Sequence, residues 1–185
     1  MNRLSLALIH YPVVDKFDQL YTTAITNMDV HDIARSSRTY GLDNYYLVTP
    51  ITAQQELART MTGFWTEGSG KDRNQDRFAA MELVRVASDL DQVIKAETDV
   101  AQEKPFLIAT SAKTCPKPTI SYKQGQEFIK SHASTILIFG TGHGLAPSII
   151  DQADVVLEPI NGPGTYNHLS VRSAAAIILD RLRGC

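Results

Sequence analysis

Two glycine-rich loops in the last third of the chain carry the residues best suited to holding a small molecule. The first, residues 140–144, reads Gly-Thr-Gly-His-Gly, and the second, residues 158–164, reads Glu-Pro-Ile-Asn-Gly-Pro-Gly. Each follows an apolar run, residues 135–139 and 154–157, that predicts a strand. Loops at the carboxyl ends of strands form the ligand crevice of an open α/β sheet. The two loops therefore predict a small-molecule site rather than two tight turns.

The spacing of the glycines leaves the identity of the ligand open. A dinucleotide fingerprint needs Gly-x-Gly-x-x-Gly, whereas position 145 is Leu. Glu158 lies roughly 20 residues further on, where such a site carries its ribose-binding acid. Only one strand follows the first loop, however, instead of the several strands of a βαβαβ half. A nucleotide- or dinucleotide-binding oxidoreductase is therefore an alternative, supported by the glycines and Glu158 but not by position 145 or the number of strands.

Predicted strands and helices alternate along the chain and would position these loops. Apolar runs predict six strands, at residues 4–9, 44–49, 83–87, 106–110, 135–139 and 154–157. Helical spacing predicts helices at residues 30–40, 52–61, 75–82, 89–102, 122–131 and 169–182. Asp29 is the expected N-cap of the first helix and Gly41 its C-terminal glycine. The alternation predicts an α/β fold: a parallel sheet of about six strands with helices on both faces.

Composition limits the broad class of the protein. A chain of 185 residues predicts one domain, residues 1–185. The net charge of -2 provides no overall basic field that would attract nucleic acid. Two cysteines form neither a disulfide framework nor a metal-ligand cluster, so no metal is expected. The apolar stretch near the N-terminus is too short to span a membrane, and the cytoplasm is the expected location.

The C-terminal segment carries a family resemblance. LIFGTGHGLAPSIIDQADVVLEPI, followed by HLSVRSAAAIILDRL, resembles the second and third motifs of the SPOUT superfamily of RNA methyltransferases. The resemblance implies a C-terminal trefoil knot, an exception to the rule that chains are not knotted. It also implies that S-adenosylmethionine is the cofactor and that the substrate is tRNA or rRNA, which would be methylated on a ribose 2′-O or on a base. It further implies a homodimer in which two subunits complete one site. A non-catalytic adaptor that kept the cofactor pocket is a further alternative.

The resemblance also implies which residues hold the cofactor. Backbone groups of the two glycine loops would bind its adenine and ribose, and the end of the strand at 106–110 would form a third wall. Two positions depart from the family pattern: Gly142 stands where many members have an acidic residue, and Ser170 where Asn is usual. The implied cofactor-binding residues are Thr110, Ser111, Gly140, Thr141, Gly142, Gly144, Glu158, Ile160, Gly162, Gly164, His168, Leu169 and Ser170.

The first helix resembles the first SPOUT motif. Residues 29–41, DVHDIARSSRTYG, follow the pattern Asn-x-Gly-x-x-x-Arg ending in an aromatic residue and Gly, with Asp29 in place of Asn and His31 in place of Gly. The resemblance implies a catalytic role for Arg35. Its guanidinium offers five donors and a fixed charge, which suits it to positioning a phosphate or hydroxyl rather than removing a proton. Arg38 lies one helical turn away and would reach the same phosphate.

Other residues with chemical potential each have two interpretations. His143 is either a general base, since histidine titrates near neutrality, or a hydrogen-bonded brace of its loop. A base-methylating enzyme would use Asp29 or Asp32 as proton acceptor, but helix capping explains Asp29 equally well. The sequence GFWTEGSGKDRNQDR, predicted to be a loop, is either solvated or suited to stacking and phosphate contact. Its residues of interest are Trp65, Lys71, Arg73 and Arg77.

Overall fold

The chain alternates between strands and helices over most of its length. The computed structural model describes residues 2–113 and 115–184, and within them nine strands and eight helices form. The strands are β1 (Arg3–Ile9), β2 (Val13–Val14), β3 (Leu20–Tyr21), β4 (Asn44–Val48), β5 (Val84–Ala87), β6 (Phe106–Thr110), β7 (Thr119–Ile120), β8 (Ser134–Gly140) and β9 (Val155–Leu157). The helices are α1 (Asn27–Thr39), α2 (Thr52–Thr66), α3 (Gly70–Arg73), α4 (Gln75–Met81), α5 (Leu90–Ala101), α6 (Tyr122–Ser131), α7 (Pro147–Gln152) and α8 (Val171–Arg183).

A parallel sheet forms the centre of the fold. In the described residues it has seven strands in the order β5-β4-β1-β8-β6-β9-β7, and all neighbours pair in parallel. The six predicted strands are present, and the two-residue β7 was not predicted. Ile9 pairs with Gly140, and Thr110 with Leu157. The carboxyl ends of β1, β8, β6 and β9 therefore open at the same edge of the sheet.

Side chains of the sheet feed two apolar cores, one on each face. In β1, Leu4, Leu6 and Leu8 join the core beneath α1, α6 and α8, whereas Ala7 and Ile9 join the core beneath α5 and α7. The strands read as continuous apolar runs because both of their faces are covered. Each fully buried Leu contributes about 1.5–3 kcal/mol. The prediction of helices on both faces is confirmed.

The start of α1 differs from the prediction by three residues. Thr26, not Asp29, is the N-cap, and its Oγ1 accepts a hydrogen bond of 3.1 Å from the backbone N–H of Asp29. Asp29 lies instead in the first turn, where a carboxylate is favoured by the positive end of the helix dipole. Gly41 follows the helix with φ of +68°, as expected of a C-terminal glycine.

Two segments that lie between the predicted helices and strands contain regular structure. Residues 13–26 include the antiparallel hairpin of β2 and β3. The glycine-rich and charged segment after residue 62 is largely helical, because α2 continues to Thr66 and α3 and α4 follow closely. At Gly70 a β-carbon would lie 2.7 Å from the carbonyl oxygen of Phe64 and 2.7 Å from the Trp65 ring. Glycine there allows α3 to fold tightly against α2. Across the described residues, every helix is too short or too polar to cross a bilayer.

Candidate functional site

A cavity of about 680 Å³ lies at the edge of the sheet where the central strands end. This volume falls within the range of roughly 300–1,000 Å³ that small-molecule sites occupy. The loops after β8, β6 and β9, the entry to α8 and the segment before α1 form its walls. Of the predicted cofactor-binding residues, those that line it are Thr110, Ser111, Gly140, Thr141, Gly142, Gly144, Glu158, Ile160, His168, Leu169 and Ser170.

Two of the predicted residues lie in the same loop but outside the cavity lining. Gly162 and Gly164 are exposed, and no atom lies within 4 Å of the β-carbon that either would carry as another residue. Open space surrounds both positions, so neither glycine is required by a close approach of the backbone. The structure thus brings the other predicted cofactor-binding residues together around the cavity, whereas Gly162 and Gly164 lie outside its lining.

The first glycine loop needs its glycines for conformation and for packing. Gly142 has φ of +61° and Gly144 φ of +121°, which side-chain-bearing residues rarely adopt. At Gly140 a β-carbon would come within 2.7 Å of the backbone nitrogen of Leu145. At Gly142 it would meet the hydroxyl of Tyr21. Tyr21 therefore lies against position 142, where the pattern implied by the family resemblance often has an acidic residue.

The β2–β3 hairpin clamps this glycine loop. The backbone N–H of His143 donates to the carbonyl of Val14 over 3.1 Å, and the N–H of Val14 donates to the carbonyl of Gly144 over 3.0 Å. The sequence prediction missed the hairpin because each of its strands is only two residues long. The signal was present in the β-forming pairs Val13-Val14 and Leu20-Tyr21, which flank a polar turn.

A hydrogen-bonded chain connects the cavity wall to a buried histidine. Thr141 Oγ1 donates to the carbonyl of Ile9 over 3.0 Å, so the adjoining Thr23 hydroxyl must donate to Thr141. Thr23 Oγ1 in turn accepts from Nδ1 of His10 over 3.0 Å. Burial lowers the pKa of His10 to about 4, against an opposing effect of the Asp29 charge. His10 is therefore neutral near pH 7, and its Nε2 carries an unshared electron pair.

The first turn of α1 contributes an acidic side chain to the cavity wall. Asp29 lines the cavity, and its carboxylate accepts a hydrogen bond of 2.6 Å from the hydroxyl of Thr26. Nε of Arg172, at the start of α8, lies 3.4 Å from Asp29 Oδ1, and its Nη1 lies 3.7 Å from Asp32 Oδ2. Arg172 thereby joins α8 to α1 beside the cavity. Sequence reasoning missed this residue, since it carries no motif signal of its own.

The opposite wall is formed by the second glycine loop and the entry to α8. Oε1 of Glu158 accepts a hydrogen bond of 3.0 Å from the backbone N–H of Tyr122, so this carboxylate caps α6. Ser170 is the N-cap of α8 and accepts from the N–H of Ser173. His168 lies edge-on to Tyr166, with ring centroids 5.4 Å apart. Glu158 and Ser170 thus have structural partners in addition to their place in the lining.

The predicted catalytic arginines lie apart from the cavity of their own chain. Arg35 and Arg38 are exposed on α1 and do not belong to the lining. Arg35 lies near His31, whose pKa is lowered by burial first and then by the charges of Arg77 and Arg35. Nη1 of Arg77 lies 3.3 Å from Nδ1 of His31, and its guanidinium lies 5.0 Å from the Trp65 ring. Trp65 and Arg77 therefore pack against the helix that carries Arg35.

The chemistry of the lining suits the cofactor that the family resemblance implies. Leu157, Ile160, Val171, Ala174 and Ile178 provide an apolar side on which an adenine ring can lie. Backbone groups of the glycine loops provide hydrogen-bonding partners for the polar edges of such a ligand. In residues 2–113 and 115–184, no group of His, Cys, Asp and Glu side chains is arranged to hold a metal ion.

Comparison with known proteins shows that nearly the whole sequence matches one protein family. Residues 3–184 match the family described as SAM-dependent RNA methyltransferase. An uncharacterized protein of Aquifex aeolicus is 42% identical over 178 residues, covering 96% of this chain and 86% of that protein. A tRNA (guanine-N(1)-)-methyltransferase of Oleidesulfovibrio alaskensis is 41% identical over 183 residues, covering 99% of this chain. The chain spans only 42% of the length of that enzyme.

The fold matches solved structures of methyltransferases. The SpoU methyltransferase AviRb from Streptomyces viridochromogenes, solved in complex with AdoMet, superimposes with a TM-score of 0.58 at 14% identity. The match covers 98% of this chain and 57% of that one. It confirms the predicted SPOUT-like α/β architecture, and the family match decides between methyltransferase and oxidoreductase in favour of the former. The chain belongs to the family of SAM-dependent RNA methyltransferases, with S-adenosylmethionine as its cofactor.

Proposed function

We propose that this chain methylates a nucleotide of tRNA. The observation that carries the proposal is the cavity at the carboxyl ends of β6, β8 and β9, whose lining suits an adenosyl sulfonium. A relative that is 41% identical is named a tRNA (guanine-N(1)-)-methyltransferase, although this chain spans 42% of its length. The cofactor supplies a methyl group on a positively charged sulfur. Residues 1–185 would act as one catalytic domain, and the cytoplasm is the compartment that we propose.

The protein's contribution is positioning. Backbone groups of residues 140–144 and 158–160, with Thr110 and Ser111 as a third wall, are proposed to hold the cofactor so that its methyl group faces the RNA. His168, Leu169 and Ser170 would close the cavity at the entry to α8. Holding donor and acceptor in line supplies much of the rate of such a transfer, because the entropy of bringing them together is already lost.

Arg35 and Arg38 are proposed to bind the RNA backbone. Both lie outside the cavity of their own chain, while Met28 on the same helix is 58% exposed. We propose a homodimer in which α1 of one subunit brings Arg35 to the cavity of the other. This arrangement accounts for an exposed arginine in a motif that is associated with catalysis. Size measurement in solution tests the dimer, and a monomer that retains full activity would contradict it.

The trefoil knot is also part of the proposal. Strand β9 lies between β6 and β7, which are themselves consecutive along the chain and joined by residues 111–118. The segment that leaves β9 must therefore pass this connection on one side or the other. The Asn167 amide reaches the carbonyl of Ala112 over 3.5 Å, a contact that supports passage through the loop. An experimental structure with residues 158–170 unthreaded would contradict the knot.

Two measurements test the proposed function. Calorimetry with S-adenosylmethionine should give saturable binding, and tritiated methyl transfer to total RNA should label the tRNA fraction. Label in rRNA alone would contradict the choice of tRNA. Binding without transfer to any RNA pool would indicate a non-catalytic adaptor instead.

A further inference from the structure

The reaction requires a proton acceptor, and the cavity contains few candidates. The titratable side chains in its lining are Asp29, Lys113, His143, Glu158 and His168. Lys113 is exposed, and its side chain extends to Asp18 at 3.4 Å. Glu158 already accepts the hydrogen bond that caps α6. His143 and His168 are exposed, and the backbone of His143 is held by the hairpin. Asp29 is the remaining carboxylate, and its side chain is only 14% exposed.

Asp29 is held in one position by several independent contacts. Its backbone N–H donates to Thr26 Oγ1 over 3.1 Å, and its carboxylate accepts from the same hydroxyl over 2.6 Å. Its backbone carbonyl accepts a hydrogen bond of 3.3 Å from the fully buried Tyr45. Arg172 holds the other carboxylate oxygen. A catalytic group whose orientation is fixed in this way loses little entropy during the reaction.

The groups around Asp29 form a network that includes a second carboxylate. Arg172 on α8 contacts both Asp29 and Asp32, so it keeps one carboxylate partner when Asp29 becomes neutral. The other titratable groups near Asp29 are His10, directly after β1, and Tyr45 on β4, and the pKa values of both respond to the Asp29 charge. Burial lowers the pKa of His10 and raises that of Tyr45, so both are uncharged near neutral pH. Neither adds a competing charge.

We propose that Asp29 is the proton acceptor of the methyl transfer and that the acceptor atom is a ring nitrogen of a nucleobase. This inference rests on the proposed function. The carbon–sulfur bond breaks with its electron pair remaining on sulfur. The electron pair of the base N–H bond forms the new carbon–nitrogen bond, and the proton passes to the Asp29 carboxylate and then to solvent. A carboxylate suits an imino N–H, which is far more acidic than a ribose hydroxyl.

The matched variants are Asp29→Asn and Asp32→Asn. Both remove one carboxylate partner of Arg172, but only Asp29 lines the cavity. Asp29→Asn should lower kcat by about 100-fold or more, the usual contribution of a general base. Asp32→Asn should leave kcat within about threefold of the wild type. Calorimetric affinity for S-adenosylmethionine should be similar in both variants, since the proposed role concerns the RNA.

The pH dependence separates a base from a merely structural residue. With Asp29→Asn, only acceptor that has already lost its proton reacts, so kcat should rise about tenfold per pH unit from pH 7 to 9. The wild type should vary much less over this range. If Asp29→Asn melts at a much lower temperature, Asp29→Glu replaces it: retained charge should give measurable transfer with a flat profile.

Three results would overturn the inference. These are activity of Asp29→Asn within about threefold of wild type, equal losses in both Asn variants, or a 2′-O-methylated product nucleoside by mass spectrometry. A wild-type protein that binds the cofactor but methylates no RNA is a different outcome. It would refute the proposed function itself, and the role of Asp29 with it.

Discussion

The hydroxyl of Tyr21, on the second strand of the hairpin, lies directly against Gly142 of the first glycine loop. This contact joins the β2–β3 hairpin, which sequence patterns did not predict, to the glycine loop at residues 140–144, which they did predict. It also fits the departure from the family pattern at position 142, since the backbone there has φ of +61° and a β-carbon would meet the Tyr21 hydroxyl. The hairpin therefore acts as a brace that fixes the shape of the cavity wall.

Replacing Gly142 with Ala should disrupt cofactor binding. The backbone there has φ of +61°, and the new β-carbon would collide with Tyr21. Strain of this kind costs of order 1–3 kcal/mol, so S-adenosylmethionine should bind about tenfold more weakly. Isothermal calorimetry measures this change. Gly162→Ala is the control: open space surrounds Gly162, and unchanged affinity is expected. Equal losses in the two variants would argue against the bracing role of Tyr21.

Sequence patterns predicted the elements that are long and apolar. Strands such as β1 and β8 are recognisable because both of their faces are buried, which makes them continuous apolar runs. The two-residue β7 escaped prediction, since its existence depends on pairing with Val156 and Leu157 in a distant part of the chain. A strand of two residues is too short to show a hydrophobic periodicity.

The candidate site was predictable in its loops and not in its side-chain partners. Glycine spacing identified residues 140–144 because backbone conformation there is a local property. The pairing of Arg172 with Asp29 joins α8 to α1 across the fold and leaves no trace in either segment alone. The same holds for His10, which directly follows the first predicted strand and belongs to no motif. Its neutrality follows from burial, which tertiary structure alone determines.

Acid should destabilise the protein partly through His10. Below pH 6.5 the unfolded chain binds a proton at this residue, whereas the folded chain does not until about pH 4. Stability is therefore lost as pH falls through this window, by roughly 3 kcal/mol for His10 alone. Urea denaturation at pH 7 and pH 4.5 should show a smaller loss for His10→Asn than for the wild type. Identical pH dependence in both proteins would contradict the assignment.

A buried carboxylate at the other end of the sheet should contribute to stability without affecting the site. Glu97 on α5 is fully buried and accepts hydrogen bonds from Ser5, Asn44 and Tyr46 over 2.8–2.9 Å, and Arg3 lies 3.2 Å away. Burial opposes ionisation, yet these donors and the Arg3 charge outweigh it and hold the pKa of Glu97 below its ordinary value. These contacts join α5 to β1 and β4 at the end opposite the cavity.

Glu97→Ala should therefore lower the free energy of unfolding by about 3–5 kcal/mol, since four polar side chains lose their acceptor and Arg3 keeps only Asp43 as a partner. The matched control is Asp99→Asn on the same helix, which breaks the exposed pair with Lys95 at 3.1 Å. That change should cost less than about 0.5 kcal/mol. Urea denaturation measures both. Cofactor affinity of folded Glu97→Ala should equal that of the wild type, and a large loss would show that Glu97 influences the cavity.

Removing the guanidinium of Arg35 should separate cofactor binding from methyl transfer. Arg35 is exposed and lies outside the cavity lining of its own chain, so Arg35→Ala should bind S-adenosylmethionine with unchanged affinity. Loss of a charged contact to RNA in the transition state should lower kcat/KM for methyl transfer about tenfold to 100-fold. Tritiated transfer to RNA provides the rate. Replacing Arg59, an exposed arginine on α2, with Ala provides the control.

If Arg35 acts from a second subunit, mixing Arg35→Ala with Asp29→Asn should restore part of the activity in heterodimers. Full activity of Arg35→Ala alone would remove this residue from the reaction.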